Sequence, residues 1–112
     1  MSRFMFLFYE DQSVYQELSP EELQKEIELH QKWIEDLGDH YVSSEPLEKD
    51  AKVVKGEDAI ISDGPFMEAK EIVTGYYLID AESLEKAAEL ARGCPILQLC
   101  GSVEVRMVMA LD

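Results

Sequence analysis

Basic residues are scarce: 10 Lys and Arg stand against 24 Asp and Glu in 112 residues, a formal charge of -14 at pH 7. The acids are spread along the chain, and the few cations have acids close by, as Lys52 and Lys55 have Glu57 and Asp58. Such a field repels phosphate backbones and anionic lipid, which argues against direct nucleic-acid binding and against a membrane-surface role. Cysteine is nearly absent. Cys94 and Cys100 are the only two, in neither a C-x-x-C pair nor a zinc spacing, and they read as buried thiols of a reducing compartment. With two histidines and no H-E-x-x-H pattern, no metal site is expected and no cofactor is implied. Gly64 and Gly75 are isolated, so nothing resembles a phosphate-cradling loop, and no serine sits in a nucleophile elbow. Long apolar runs are missing as well. The opening run Phe4 to Tyr9 is far short of the ~20 residues a membrane span needs, and Met1-Ser2-Arg3 is no basic leader, so a cytoplasmic protein is expected. There is no internal repeat, low-complexity tract or linker, and residues 1–112 fit one domain.

What is present is a pattern of strands and helices. Phe4 to Tyr9 lacks polar alternation and reads as a strand buried on both sides. Ser19 as N-cap, Pro20 at N1 and Glu22 at N3 announce a helix, with Leu18 and Leu23 as its hydrophobic staple. Leu23, Ile27, His30, Ile34 and Leu37 recur at helical spacing, predicting one inward stripe that carries His30, and Gly38 is the stop. A short strand is expected around His40 to Ser44, a turn or ragged edge over 51–57, and another short strand over Ala59 to Ser62. Ile72 to Ile79 is the second long strand, in which Gly75 leaves room for something close to the backbone. Asp80 is read as capping a helix that runs to about Arg92, Ile96 to Cys100 as a short extended piece, and Val103 to Val108 as the last strand. This order predicts an α+β split βαβ domain, an antiparallel sheet with two helices on one face.

Two helices cover only one face of such a sheet, yet Phe4, Phe6 and Phe8 point opposite to Met5, Leu7 and Tyr9. Leaving the second set in water costs roughly 1.5–3 kcal/mol per large side chain relative to burying it. A homodimer through the face opposite the helices is therefore expected.

Asp63-Gly64-Pro65-Phe66, followed by Glu68, Lys70-Glu71 and Gly75-Tyr76-Tyr77, resembles the signature of the DGPF-type branch of the YCII-related proteins. The likeness extends through the opening strand, the Ser-Pro-Glu-Glu helix start, the Leu-Ile-Asp-Ala entry to the second helix and Gly101-Ser102-Val103-Glu104-Val105-Arg106. The typical Arg-Pro-Val ending of the last strand stands here as Arg106-Met107-Val108. The resemblance implies a ferredoxin-like domain that pairs sheet to sheet as a dimeric α/β barrel. It also implies a possible His-Asp pair in a cleft, and an association of DGPF members with alternative sigma factors.

Two residues stand out as catalytic candidates. His30, on the inner stripe, and Asp63, in a rigid Gly-Pro loop, would act as a general acid/base pair if they met near Gly75. The competing readings are a hydrogen-bonded core histidine and a carboxylate that accepts its own loop amides. Tyr9, Trp33, Tyr76 and Tyr77 are candidate aromatic walls, Glu68 and Lys70 candidate lining, and Lys70 and Arg106 candidate anchors for an anionic ligand. Packing, turn formation and exposed ion pairing are their ordinary alternatives. Two functions follow as expectations: a small-molecule cleft with modest acid/base chemistry, or a non-catalytic ligand-sensing or protein-interaction module linked to transcription regulation.

Overall fold

The computed structural model describes residues 1–64 and 70–111. In chain order it contains β1 (Ser2–Asp11), α1 (Gln12–Gln16), α2 (Pro20–Leu37), β2 (Tyr41–Pro46), β3 (Ala51–Lys55), β4 (Ile60–Gly64), β5 (Glu71–Ala81), α3 (Leu84–Ala91) and β6 (Ser102–Met107). Short 3-10 turns follow α2 at Gly38–His40 and α3 at Pro95–Leu99. Four strands form one antiparallel sheet in the order β2-β5-β1-β6, and β3 and β4 pair only with each other.

The aromatic strand is central because both of its edges are paired, to β5 and to β6. Its alternation sends Phe4, Phe6, Phe8 and Glu10 inward, and the three phenylalanines join Tyr77, Ile79, Trp33, Leu37 and the small Ala87 and Ala91 of α3 in one core. Phe6 stacks on Trp33 with centroids 5.9 Å apart and 13° between the rings. Small side chains on α3 let that helix lie close to the sheet, as its stripe suggests. Met5, Leu7 and Tyr9 occupy the other face, half-buried, opposite Leu78, Tyr76 and Val73 of β5.

Helix α2 starts where its sequence says. The Ser19 hydroxyl accepts from the Glu22 amide at 3.1 Å, the Glu22 carboxylate accepts from the Ser19 amide at 3.2 Å, and Pro20 opens the first turn. Gly38 ends it with φ 56°, a backbone conformation that a side chain would strain. The inward stripe is shorter than its spacing implies. Trp33 and Leu37 are buried, whereas Leu23 and Ile27 are 44% and 45% exposed, so the N-terminal half of α2 stands off from the sheet.

Several expectations are corrected. The chain has a mixed α/β fold with two sheets, neither closed into a barrel, so the ferredoxin-like sheet completing a dimeric α/β barrel is not what the structure contains. Barrel closure requires each edge strand to find a partner, and β2 and β6 remain edges. Residues 51–55 and 60–64 leave the main sheet because they pair with each other around a turn in which the Ala59 amide donates to the Gly56 carbonyl at 3.0 Å. This hairpin carries Val54, Ile60 and Ile61 into solvent. Asp80 does not cap α3; it stays in β5 and pairs with Arg3 at 3.1 Å, while the Ser83 hydroxyl accepts from the Lys86 amide. Residues 95–99 form a 3-10 turn in place of an extended piece, since Pro95 pre-sets its first position. Cys94 is buried as expected, but Cys100 is exposed.

Candidate functional site

The gap under the raised half of α2 is a cavity of ≈ 260 Å³ between that helix, the end of β2 and the middle of β1 and β5. Phe8, Ile27, Ile34 and Ile96 provide apolar wall, and Glu10, Glu26, His30, Thr74 and Tyr77 the polar groups. Local irregularity in the sheet shapes its floor. The pairing of β1 with β5 shifts register between Phe8 and Tyr9, so Thr74 and Gly75 both turn to the helix side. Thr74 thereby donates its hydroxyl to a carboxylate oxygen of Glu10. Gly75 admits the β2 backbone: a Cβ there would stand 3.0 Å from the Glu45 carbonyl oxygen.

His30 sits at the wall, its Nδ1 hydrogen-bonded to the Tyr77 hydroxyl at 2.8 Å. Its ring centroid lies 5.9 Å from those of Phe8 and Tyr77 and 6.2 Å from that of Trp33. Burial lowers the imidazole pKa from its ordinary value, because the charged ring would lose water without gaining an anion in contact, and so favours the neutral base. Burial pushes the Tyr77 phenol up, with smaller contributions from Cys94 and Tyr41, and keeps it protonated. Glu10 is raised by burial, opposed by the Thr74 hydrogen bond; Glu26 is raised by burial and then by its charge repulsion with Glu10, against a small effect of Lys25. The Cys94 thiol, pushed up to about 12 mainly by burial, is an inert core group rather than a nucleophile.

Of the residues singled out in the sequence, His30, Gly75 and Tyr77 come together here. Trp33 lies behind them in the core, 4.8 Å from the Tyr77 ring, and borders a separate ≈ 400 Å³ groove between α2 and α3. Asp63 is not brought to His30. It stands exposed on β4, ion-paired with Lys52 across the hairpin register, and is absent from the cavity lining. Tyr9, Tyr76 and Arg106 belong to the opposite face of the main sheet, since their strand partners are Val73, Leu7 and Met5. There the Tyr9 hydroxyl donates to Glu104 at 3.2 Å, a bond that raises the phenol pKa. Lys70 is exposed at the entry to β5, its carbonyl accepting from the Gln12 amide at 2.9 Å, and Glu68 lies outside the described residues.

Sequence reasoning passed over Glu10, Glu26 and Thr74. The first two had a legible signal. Extending the Phe4, Phe6, Phe8 alternation by one step places Glu10 on the buried face, and Glu26 stands one helical turn before His30. Thr74 had none, because its direction depends on the bulge. Among the described residues no group of three or more His, Cys, Asp or Glu side chains is arranged to hold a metal ion. Among the same residues no helix is long and apolar enough to cross a membrane.

An open antiparallel sheet and two helices packed on one face, with a largely apolar hollow beneath the first that His30 borders, define a small mixed α/β domain. The profile of the YCII-related domain matches residues 2–112, and the chain belongs to that family. It is also similar to an uncharacterized protein of Rhizobium meliloti (strain 1021), with 46% identity over 50 residues. That match spans 44% of this chain and 40% of the relative.

Proposed function

We propose that the hollow beneath α2 is a small-molecule site in which His30 acts as a general acid/base. The observation that carries this reading is the His30 Nδ1 to Tyr77 hydroxyl bond at the wall of the cavity. Tyr77 takes the orienting role that the sequence suggested for Asp63. With Nδ1–H donating to the Tyr77 oxygen, Nε2 has a free lone pair for a proton from an acidic C–H or O–H of the ligand, or from a water beside it. Glu10 borders the same wall, its carboxyl pKa raised by burial and lowered by the Thr74 hydrogen bond.

Trp33 is the sole tryptophan, and its position against His30 makes its fluorescence a reporter of occupancy. A metabolite screen by thermal shift and Trp33 fluorescence is expected to find a ligand whose turnover falls at least about 100-fold in His30→Gln while binding persists. Equal turnover by the variant refutes the acid/base role. Binding without turnover by the unaltered protein favours the ligand-sensing alternative.

Within the family we assign the chain to the DGPF-type branch, on Asp63-Gly64-Pro65-Phe66 and Gly75-Tyr76-Tyr77. The two free thiols support a reducing, cytoplasmic setting. The sheet face opposite α2 and α3 is read as the meeting surface of two copies. It presents half-buried Met5, Leu7, Tyr76 and Leu78, rimmed by both signs in Arg3, Asp80, Glu104 and Arg106, so a two-fold pairing sets unlike charges together. Sedimentation velocity tests this: a dimer for the unaltered chain and a folded monomer for Leu7→Asp support it, and a monomeric unaltered chain refutes it.

A further inference from the structure

Among the described residues the cavity lining includes Glu10, Glu26, Glu45 and His30, and neither lysine nor arginine. We infer that the site selects a small organic ammonium ion, its N–H groups on Glu10 and Glu26 and its hydrocarbon part on Phe8, Ile27 and Ile34. This rests on the cavity being a ligand site.

The argument turns on Glu10. Its side chain is only 7% exposed, and Thr74 satisfies one carboxylate oxygen, Oε2. The other oxygen, Oε1, has no hydrogen-bond partner among the described residues, although no fully buried side-chain oxygen or nitrogen there goes unpaired. Oε1 therefore keeps some accessible surface, and Glu10 lines the hollow. A carboxylate so little exposed has lost most of its hydration and has no ion-pair partner among the described residues, so an incoming ammonium supplies an interaction that these residues leave unmade. Glu26 reinforces the effect from the helix side. Burial raises both carboxyl pKa values, and repulsion from Glu10 adds to the rise at Glu26, which an ammonium bound beside them relieves.

The opposite charge is disfavoured on the same grounds. A carboxylate or phosphate ligand would meet glutamates, with no lysine or arginine among the described lining residues to receive it, in a chain whose formal charge is -14. A bare metal ion is a poor fit, since no three ligating side chains converge among the described residues. The apolar wall instead suits a cation that carries hydrocarbon.

The test uses three probes of one shape on the full chain: phenethylammonium, phenethyl alcohol and phenylpropionate, titrated at neutral pH by Trp33 fluorescence and calorimetry. The ammonium is expected to bind at least about tenfold more tightly than the alcohol, a difference of ~1.4 kcal/mol, and the carboxylate not at all. Glu10→Gln and Glu26→Gln should each weaken the ammonium about tenfold and leave the alcohol nearly unchanged, while the exposed Glu85→Gln changes neither. Circular dichroism confirms that each variant is folded. Alcohol or carboxylate binding as tightly as the ammonium overturns the charge assignment alone. Ammonium affinity that survives both glutamine variants overturns it too. Failure of all three probes, with Trp33 unresponsive, overturns the ligand site and this inference together.

Discussion

Replacing Tyr77 with Phe removes one oxygen and leaves an aromatic ring packed 4.8 Å from Trp33 and 5.0 Å from Phe8. The core keeps its volume, so the change isolates the 2.8 Å hydrogen bond to His30 Nδ1. A hydrogen bond of this kind contributes about 0.5–1.5 kcal/mol net, and more is lost when the abandoned partner cannot reach water. His30 is only half-buried and borders the cavity, so water can replace the phenol. The expected loss is therefore about 1 kcal/mol, which lowers the thermal midpoint by roughly 4–8 °C in a domain near this size. The measurement is a double-mutant cycle with His30→Leu, by urea unfolding followed with far-ultraviolet circular dichroism. Coupling between the two sites should be about 0.5–1.5 kcal/mol. Nitrogen chemical shifts of His30 should move in Tyr77→Phe, because Nδ1 loses its hydrogen-bond partner. Coupling below about 0.3 kcal/mol with unmoved shifts would show that the contact does no orienting and would remove the basis for the proposed acid/base role.

Further expectations concern charge, packing and the hairpin. Glu10 and Glu26 have raised folded-state pKa values, so the folded state binds more protons than the unfolded chain just above pH 4.5, and their contribution to stability falls as pH rises through that window. His30 is lowered below 6.5, so its contribution is complete above that pH and is lost as pH falls toward its folded value. Glu10→Gln should therefore stabilise the protein at pH 7 and make stability rise more steeply with pH between 4.5 and 6.5; an unchanged profile in urea unfolding would contradict the burial assigned to Glu10. Gly75→Ala sets a Cβ 3.0 Å from the Glu45 carbonyl and should cost about 1–3 kcal/mol by calorimetry, whereas a neutral effect would mean that β2 moves away freely. Asp63→Asn breaks an ion pair that is exposed on both sides and should change stability by no more than about 1 kcal/mol; a larger loss in the melting curve would show a role for Asp63 beyond holding Lys52.

The first strand was legible because Phe4 to Tyr9 is an uncharged run rich in aromatics, although only its Phe4, Phe6 and Phe8 side is fully buried, and α2 because Ser19, Pro20 and Glu22 set up its own first turn. His30 and Tyr77 were legible one at a time. Their contact was not, since it joins residues 47 positions apart through the register of β5 and the tilt of α2. The place of Asp63 was not legible for a related reason: the Asp-Gly-Pro sequence suggests a loop, but not that Asp63 pairs in β4 with Lys52 of β3. The capping of α3 by Ser83 rather than Asp80 is a smaller case, settled by Arg3, which holds the Asp80 side chain from a neighbouring strand.

By itself the sequence determined the two long strands, the start and stop of α2 and the acidic field, because propensity, capping and charge are properties of adjacent residues. Only the tertiary structure decided that 51–64 forms its own sheet, that both sheets stay open, and that the bulge beside Phe8 turns Thr74 onto Glu10. Each of those outcomes depends on which distant strand supplies the partner hydrogen bonds. A one-residue change of register reverses every side chain, and no local pattern records it.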